Sequence, residues 1–317
     1  MKLQQSILPI AFLLLSVQIT FAQNKTVKES YSNIDKVEFE VISGDIQIGA
    51  SSDDQVRLEG EYDPDQVQVS ISSSNGRLKI KEKSKARRMD EASSWTLKVP
   101  NDILVRSNTA SGNVQVQGVN LELYSNTGSG NFSFENIQGL IQLNTGSGNI
   151  MLVESQAKAN CNTGSGNIKI SGSDGNLGLN TGSGRISLDG AAGSISANSG
   201  SGNVTGKNMR LTGSSSFNTG SGDVSLGLAA APNGNVSVNA GSGNSSLEMN
   251  GFQFNGELVM QCGEKSGKIR APFSFDKEEV IEQGGRNNNM IRKTKSFGNS
   301  GTKIQVSTGS GTAKVSK

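Results

Sequence analysis

One tetrad governs what this chain can fold into. Thr-Gly-Ser-Gly, or a near copy, begins at Thr109 (as Thr-Ala-Ser-Gly), Thr127, Thr145, Thr163, Thr181, Ser199, Thr219 and Ala240, so five intervals of 18 residues are followed by one of 20 and one of 21. A period near 20 is the mark of a solenoid. No single unit can bury its apolar face alone, and a core exists only once neighbours stack.

Each period divides again into two nine-residue halves, as Thr163 to Ser171 and Gly172 to Asn180 show: a Gly-rich corner, then a short alternating run. Alternation reads as strand, because successive side chains switch face. The inward pairs of the first half include Val114/Val116, Phe132/Phe134, Ile150/Leu152 and Ile168/Ile170; those of the second include Leu123/Ser125, Ile141/Leu143, Ala159/Cys161 and Leu177/Leu179. Large residues on one wall thus face several small ones on the other, which suits a thin core.

Two strands per period predict two parallel sheets, each coil advancing by about 4.8 Å. A triangular left-handed helix built on hexads would want an apolar or small residue where Asn120, Gln138, Gln156 and Asp174 stand, so two faces per coil are preferred. Strand-to-parallel-strand crossovers are overwhelmingly right-handed. The expectation is therefore an all-β fold, a single-stranded right-handed parallel β-helix or β-solenoid with about 18 residues per coil and divergent capping regions. A three-sheet right-handed helix stays open.

The corner glycines, Gly128, Gly146, Gly164, Gly182, Gly200, Gly220, Gly241 and the second Gly of each tetrad, are expected to adopt positive φ, which Gly does without a Cβ penalty. Asn126, Asn144, Asn162, Asn180, Asn198, Asn218 and Asn239 each precede a tetrad, and stacked identical amides can hydrogen-bond from coil to coil.

Four segments follow. Residues 1–22 read as a secretory signal, with Lys2, an apolar run from Ile7 to Phe21 and Thr20-Phe-Ala22 before Gln23. Residues 23–108 form an N-terminal β-rich cap and first coils, 109–249 the regular coils, and 250–317 the C-terminal coils and cap, with 23–317 one continuous domain. The capping matters because an uncovered last strand invites edge-to-edge aggregation. In the first cap, Ser43-Gly-Asp45 echoes the tetrad, and Val67 to Ile71, Leu78 to Ile80, Trp95 to Val99 and Ile103 to Val105 alternate. Lys81 to Arg88 carries five cations among Glu82, Asp90 and Glu91 and reads as a solvated loop. At the other end, Gly284 to Asn289 reads as a loop and Thr308 restores the tetrad, so the excursion after Met249 is expected to cover the far end and return for a last coil.

With 30 Lys plus Arg against 28 Asp plus Glu, the net charge of +2 gives no case for nucleic acid or anionic membrane as partner. No later segment is apolar for long enough to span a bilayer, so the mature chain is expected to lack a transmembrane segment. Cys161 and Cys262 lie about five coils apart, far beyond disulfide reach, and read as buried free thiols.

Chemistry is constrained by what is missing. There is no His, so Ser-His-Asp and Cys-His arrangements cannot be assembled, and two Cys make a zinc site improbable. The Gly-x-Gly elements lie between strands, not before a helix, which disfavours a phosphate cradle. The calcium-binding β-roll shares the nine-residue length, yet its Asp position holds Val114, Phe132, Ile150, Ile168 and Ile186, so stacking should need no calcium. A β-helical polysaccharide lyase or hydrolase needs clustered carboxylates; the outward series Gln115, Ser133, Met151, Lys169, Ser187, Thr205 and Ser225 has none, and its neighbour runs Asn113, Asn131, Asn149, Asn167, Arg185, Asn203, Asp223. The aligned hydroxyls of Thr127/Ser129, Thr145/Ser147, Thr163/Ser165 and Thr181/Ser183 admit an ice- or glycan-binding surface beside the plainer reading of a turn ladder.

The signal segment, the Ser-Gly-Asp-Ile-Gln-Ile opening at Ser43, the Leu-Lys-Val-Pro stretch ending at Pro100, the repeated Thr-Gly-Ser-Gly-Asn and the closing Lys-Ile-Gln-Val-Ser-Thr-Gly-Ser-Gly from Lys303 together resemble the bacterial putative-adhesin β-helix family, over most of residues 31–317. The resemblance implies an exported β-helix and carries over no catalytic or ligand-contacting residue. The sequence thus assigns no catalytic, cofactor-binding or metal-ligating residue and no cofactor. Its expectation is a non-catalytic structural and interaction protein, a monomer in the periplasm, on the outer-membrane surface or outside the cell, whose partner is a surface protein or a glycan. The alternatives are a polysaccharide-active enzyme or a glycan- or ice-binding solenoid.

Overall fold

The computed structural model describes residues 24–85, 93–282 and 289–317. The signal segment, Arg87, Arg88, Asp90 and Glu91 of the basic stretch, and residues 284–288 of the polar loop lie outside them. The described residues form 29 strands and no helix. Successive strands of the regular region alternate between two parallel ladders, sheet A and sheet B, so the two-faced β-solenoid is what forms. The sheets are unequal: Val114–Gln117 in sheet A has four residues, whereas Asn120–Thr127 in sheet B has eight. Register follows the sequence period, with Phe132 over Val114 and Ile150 over Phe132 on one wall, and Leu143 over Ser125 and Cys161 over Leu143 on the other.

The inward pairs are buried, and they belong to one apolar cluster running from Ile34 to Val315. The bend between the sheets adds a column that alternation within each nine-residue half does not predict, with Val119, Ile137, Ser155, Ser173 and Ala191 all buried. Ser107 and Ser125, adjacent in register, place their hydroxyls in this core without a hydrogen-bond partner among the described residues. Both free thiols are buried, as expected, and burial pushes the Cys161 thiol up to about 12.

Glycine recurs at the tetrad corner for a different reason from the expected one. None of the tetrad glycines has positive φ. They are required by the closeness of the coils: a Cβ on Gly148 would stand 1.8 Å from the carbonyl oxygen of Gly130, and one on Gly146 2.6 Å from that of Gly128. Left-handed backbone occurs instead at the opposite corner, at Gly118, Asn136, Glu154, Gly172, Gly190 and Asn208, where φ lies between 48° and 64°. Gly and Asn adopt that conformation readily; Glu154 does so at a cost of about 1–2 kcal/mol.

The ends depart from sequence order. In sheet B, Lys36–Val41 lies between Arg77–Ser84 and Ile103–Thr109, parallel to both. In sheet A, Asp45–Ala50 likewise lies between Ser93–Val99 and Val114–Gln117. The first coil of the chain is therefore the second in the stack, and the chain steps outward before crossing back over it. Antiparallel strands then close this end, Val67–Ser74 on sheet B and Lys25–Tyr31 with Val56–Tyr62 on sheet A. The other end mirrors it. The returning coil, Lys303–Thr308 and Thr312–Ser316, slides between the coil at Val236 and the outer strands Glu257–Gly263 and Lys268–Arg270. The last coil in sequence is thus not last in space, because the excursion after Met249 covers the far end and the returning coil lies beneath it.

The basic stretch is also corrected. Lys81 and Lys83 stand in a strand that runs to Ser84, and Glu82 between them is buried. Its carboxylate accepts from the Ser93 hydroxyl at 2.5 Å, Trp95 Nε1 at 2.9 Å and the backbone N–H of Ile42 at 2.9 Å. Those donors belong to the outer coil and to the interleaved one, so Glu82 fastens the two together.

Three outcomes are expected. Gly148→Ala, whose methyl group meets backbone that cannot retreat, should cost more than about 4 kcal/mol and register as insoluble or unfolded protein by circular dichroism. Gly118→Ala, at a φ of 64° with nothing within 4 Å, should cost only about 1–2 kcal/mol in the same denaturation series. Cys161 should resist an aromatic disulfide reagent at pH 8 in the folded protein and react on unfolding; fast labelling of the native state would show the core to be open.

Candidate functional site

The tetrad corner is built from bonds that the coils make with one another. The Thr145 hydroxyl accepts from the Gly148 N–H at 3.0 Å, closing its own turn, and donates to the Gly130 carbonyl of the coil below at 3.1 Å. Thr163, Thr181 and Thr219 repeat both bonds. Ala240 has no hydroxyl to do so. Two amide ladders flank the corner. Asn144 Nδ2 donates to Asn126 Oδ1 at 2.9 Å, and the series runs from Asn108 to Asn239, as expected.

The second ladder replaces what the sequence presents as a neutral outward face. Asn131 Oδ1 accepts both the backbone N–H and the side-chain amide of Asn149, and Asn149 Oδ1 does the same for Asn167. Asp45 begins this ladder under Asn113, and Asp223 carries it to Asn244. A side-chain oxygen pointing along the axis carries the ladder, which Asn and Asp both supply. Arg185, whose side chain accepts nothing, donates its backbone N–H to Asn167 Oδ1 but passes no side-chain bond to Asn203 among the described residues.

A groove of about 630 Å³ follows this corner past Asn126, Thr127 and Gly128 and their equivalents. Its threonines are buried and their hydroxyls are engaged within the stack, so the aligned-hydroxyl surface is reduced to the exposed Ser129, Ser147, Ser165 and Ser183. The corner is a fastening.

A different place has uncommitted polar groups. On the outer face of sheet A, the interleaved coil puts Gln47 between Thr96 and Gln115, and Gly49 between Lys98 and Gln117. Glu135 follows Gln117 in the same column. Gly49 points outward without a side chain, and Lys98 Nζ takes that place, since a Cβ on Gly49 would stand 2.7 Å from it. A notch of about 200 Å³ opens among these residues. Among the described residues Lys98 has no ion-pair partner, whereas the neighbouring Arg57 is engaged: it donates to Ser51 and to Asp53, and that bond holds the Asp53 carboxyl below its ordinary range. Of the notch residues, sequence order brings out only Gln115 and Ser133, because the coil that supplies Gln47 and Gly49 lies far from them along the chain.

Several other surface charges are paired. Lys79 and Lys81 both contact Glu40, and their hydrogen bonds hold the Glu40 carboxyl below its usual value. No group of three or more metal-ligating side chains occurs among the described residues. Among the described residues no helix is long and apolar enough to cross a membrane.

Several solved structures are similar to this chain at low identity, with TM-scores below 0.5. A protein from Parabacteroides distasonis, described as a "putative lipid binding protein", is 19% identical, with 73% of this chain and 92% of that one covered and a TM-score of 0.45. A "putative adhesin" from Bacteroides fragilis is 14% identical over 93% of this chain and 98% of its own, with a TM-score of 0.42. A "putative cell adhesion protein" from Clostridium sporogenes is 9% identical over 93% and 99%, with a TM-score of 0.22. No curated protein matches. The sequence pattern of one family extends over residues 34–269, from the interleaved first coil to the outer strand of the far cap. That span is about three quarters of the chain and takes in all the regular coils, and the chain belongs to the Toastrack DUF4097 family.

Proposed function

We propose that this is an exported, non-catalytic interaction protein of the bacterial envelope or cell surface, an adhesin-type scaffold that offers the outer faces of its sheets to a partner. The observation that carries this reading is the locking of every coil to the next. Thr hydroxyls and two amide ladders hold the stack in register, so the outward columns form a fixed polar lattice on a rigid support. A surface of that kind recognises by position and needs no moving part.

The spacing of acids along the outer column that holds Glu135 does not suit hydrolysis of a glycan chain lying on that column. In the column that holds Glu135, the next carboxylate is Asp189, three coils away, or about 14 Å at the usual strand spacing. Paired-carboxylate glycosidases need roughly 5–9.5 Å. The apolar leader at residues 1–22 supports export, and the near balance of charge suits a partner that is not a nucleic acid.

Cell fractionation combined with labelling of intact cells by a membrane-impermeant amine reagent tests the assignment. The expected result is mature protein, beginning near Gln23, in the envelope or medium and labelled from outside. Protein found only in the cytoplasm would overturn export, and protein labelled only after the outer membrane is opened would overturn the adhesin role.

A further inference from the structure

We infer that the notch over Gly49 is a binding subsite for an acidic sugar, a uronate unit of a linear polysaccharide; this deepens the proposed function and rests on it. Three features carry the inference. Gly49 is the first. A β-strand residue on the outer face ordinarily covers the backbone with its side chain; over Gly49 that place is taken by the Lys98 ammonium, and a recess of about 200 Å³, room for about one sugar ring, lies beside it. The second is the wall. Gln47, Gln115 and Gln117 present carboxamides, each with donors and an acceptor, and Thr96 adds a hydroxyl, the set that pairs with adjacent sugar hydroxyls.

The third is Lys98. Its ammonium lies over the recess with no carboxylate paired to it among the described residues, so the cation is available to an incoming anion. A charge-assisted bond of this kind is about twice as strong as a neutral one. Glu135 stands at the opposite end, three strand spacings from Lys98, or about 14 Å. The polarity fixes orientation: the sugar carboxylate goes to Lys98, and neutral hydroxyls lie toward Glu135. Aliphatic or aromatic ligands find little there, since the outward-facing walls are polar.

The test uses affinity electrophoresis or calorimetry of the mature chain with polygalacturonate, and with methyl-esterified polygalacturonate as the same polymer without its charge. The expected result is binding to the acidic polymer that weakens at least tenfold on esterification. Lys98→Gln, which keeps side-chain length and loses charge, should weaken binding by a similar factor. Gly49→Val should abolish it by displacing the Lys98 ammonium, and the fold should survive because the atoms nearest a Cβ there are the far end of the flexible Lys98 side chain, as an unchanged melting curve will show. Absence of binding, equal binding to both polymers, or binding indifferent to both substitutions would each overturn the subsite. Such a failure, with the protein still labelled on intact cells, would leave the interaction role standing, whereas cytoplasmic confinement would remove both.

Discussion

The structure depends on how closely one Thr-Gly-Ser-Gly corner can sit on the next. The carbonyl of Gly130 comes within 1.8 Å of where a Cβ on Gly148 would be, so only a residue without a side chain permits the coils to approach to strand spacing at that bend. Once they do, the Thr145 hydroxyl is placed to accept from its own turn and donate to the coil below. Neither group serves without the other. The glycines allow contact, and the hydroxyls use it to satisfy backbone groups that a tight corner would leave unpaired.

That arrangement explains why the core can be so thin. Two sheets of four- and eight-residue strands enclose little apolar volume per coil, and several inward places hold Ala, Ser or Cys. The two amide ladders supply further coil-to-coil bonds, and the second also caps backbone N–H groups at the start of most sheet A strands of the regular coils. Stability is therefore shared between a narrow hydrocarbon interior and polar lines parallel to the axis. The same lines hold the outer face rigid, which is what a recognition surface requires.

The ends solve the problem that every stacked fold faces. Both terminal coils are drawn inside the stack and covered by an outer coil, and antiparallel strands close the sheets beyond. Glu82 shows how the closure is fixed, with one buried carboxylate receiving donors from two coils distant in sequence. Interleaving also composes the notch, since Gln47 and Gly49 reach Lys98 and Gln115 only because the first coil lies second. At the far end Phe254, Phe273 and Phe297 pack edge to face over the core and close it with aromatic rings.

By itself the sequence determined the coil. The 18-residue period, the alternation of Phe132/Phe134 and Ile141/Leu143, and the Asn before each tetrad are local signals, and a parallel in-register stack turns each into a column that could be named in advance. The role of the tetrad glycines was not local. Positive φ was the natural inference from one chain segment, and only the neighbouring coil reveals that the constraint is distance. Lys81 to Arg88 looked solvated because its charges are visible in sequence while the partners of Glu82 are not. The order of the terminal coils, and with it the notch at Gly49, was decided by tertiary structure alone. Every coil offers the same strand edge to its neighbours, so local pattern says that a segment will stack, and only competition among all the edges says where.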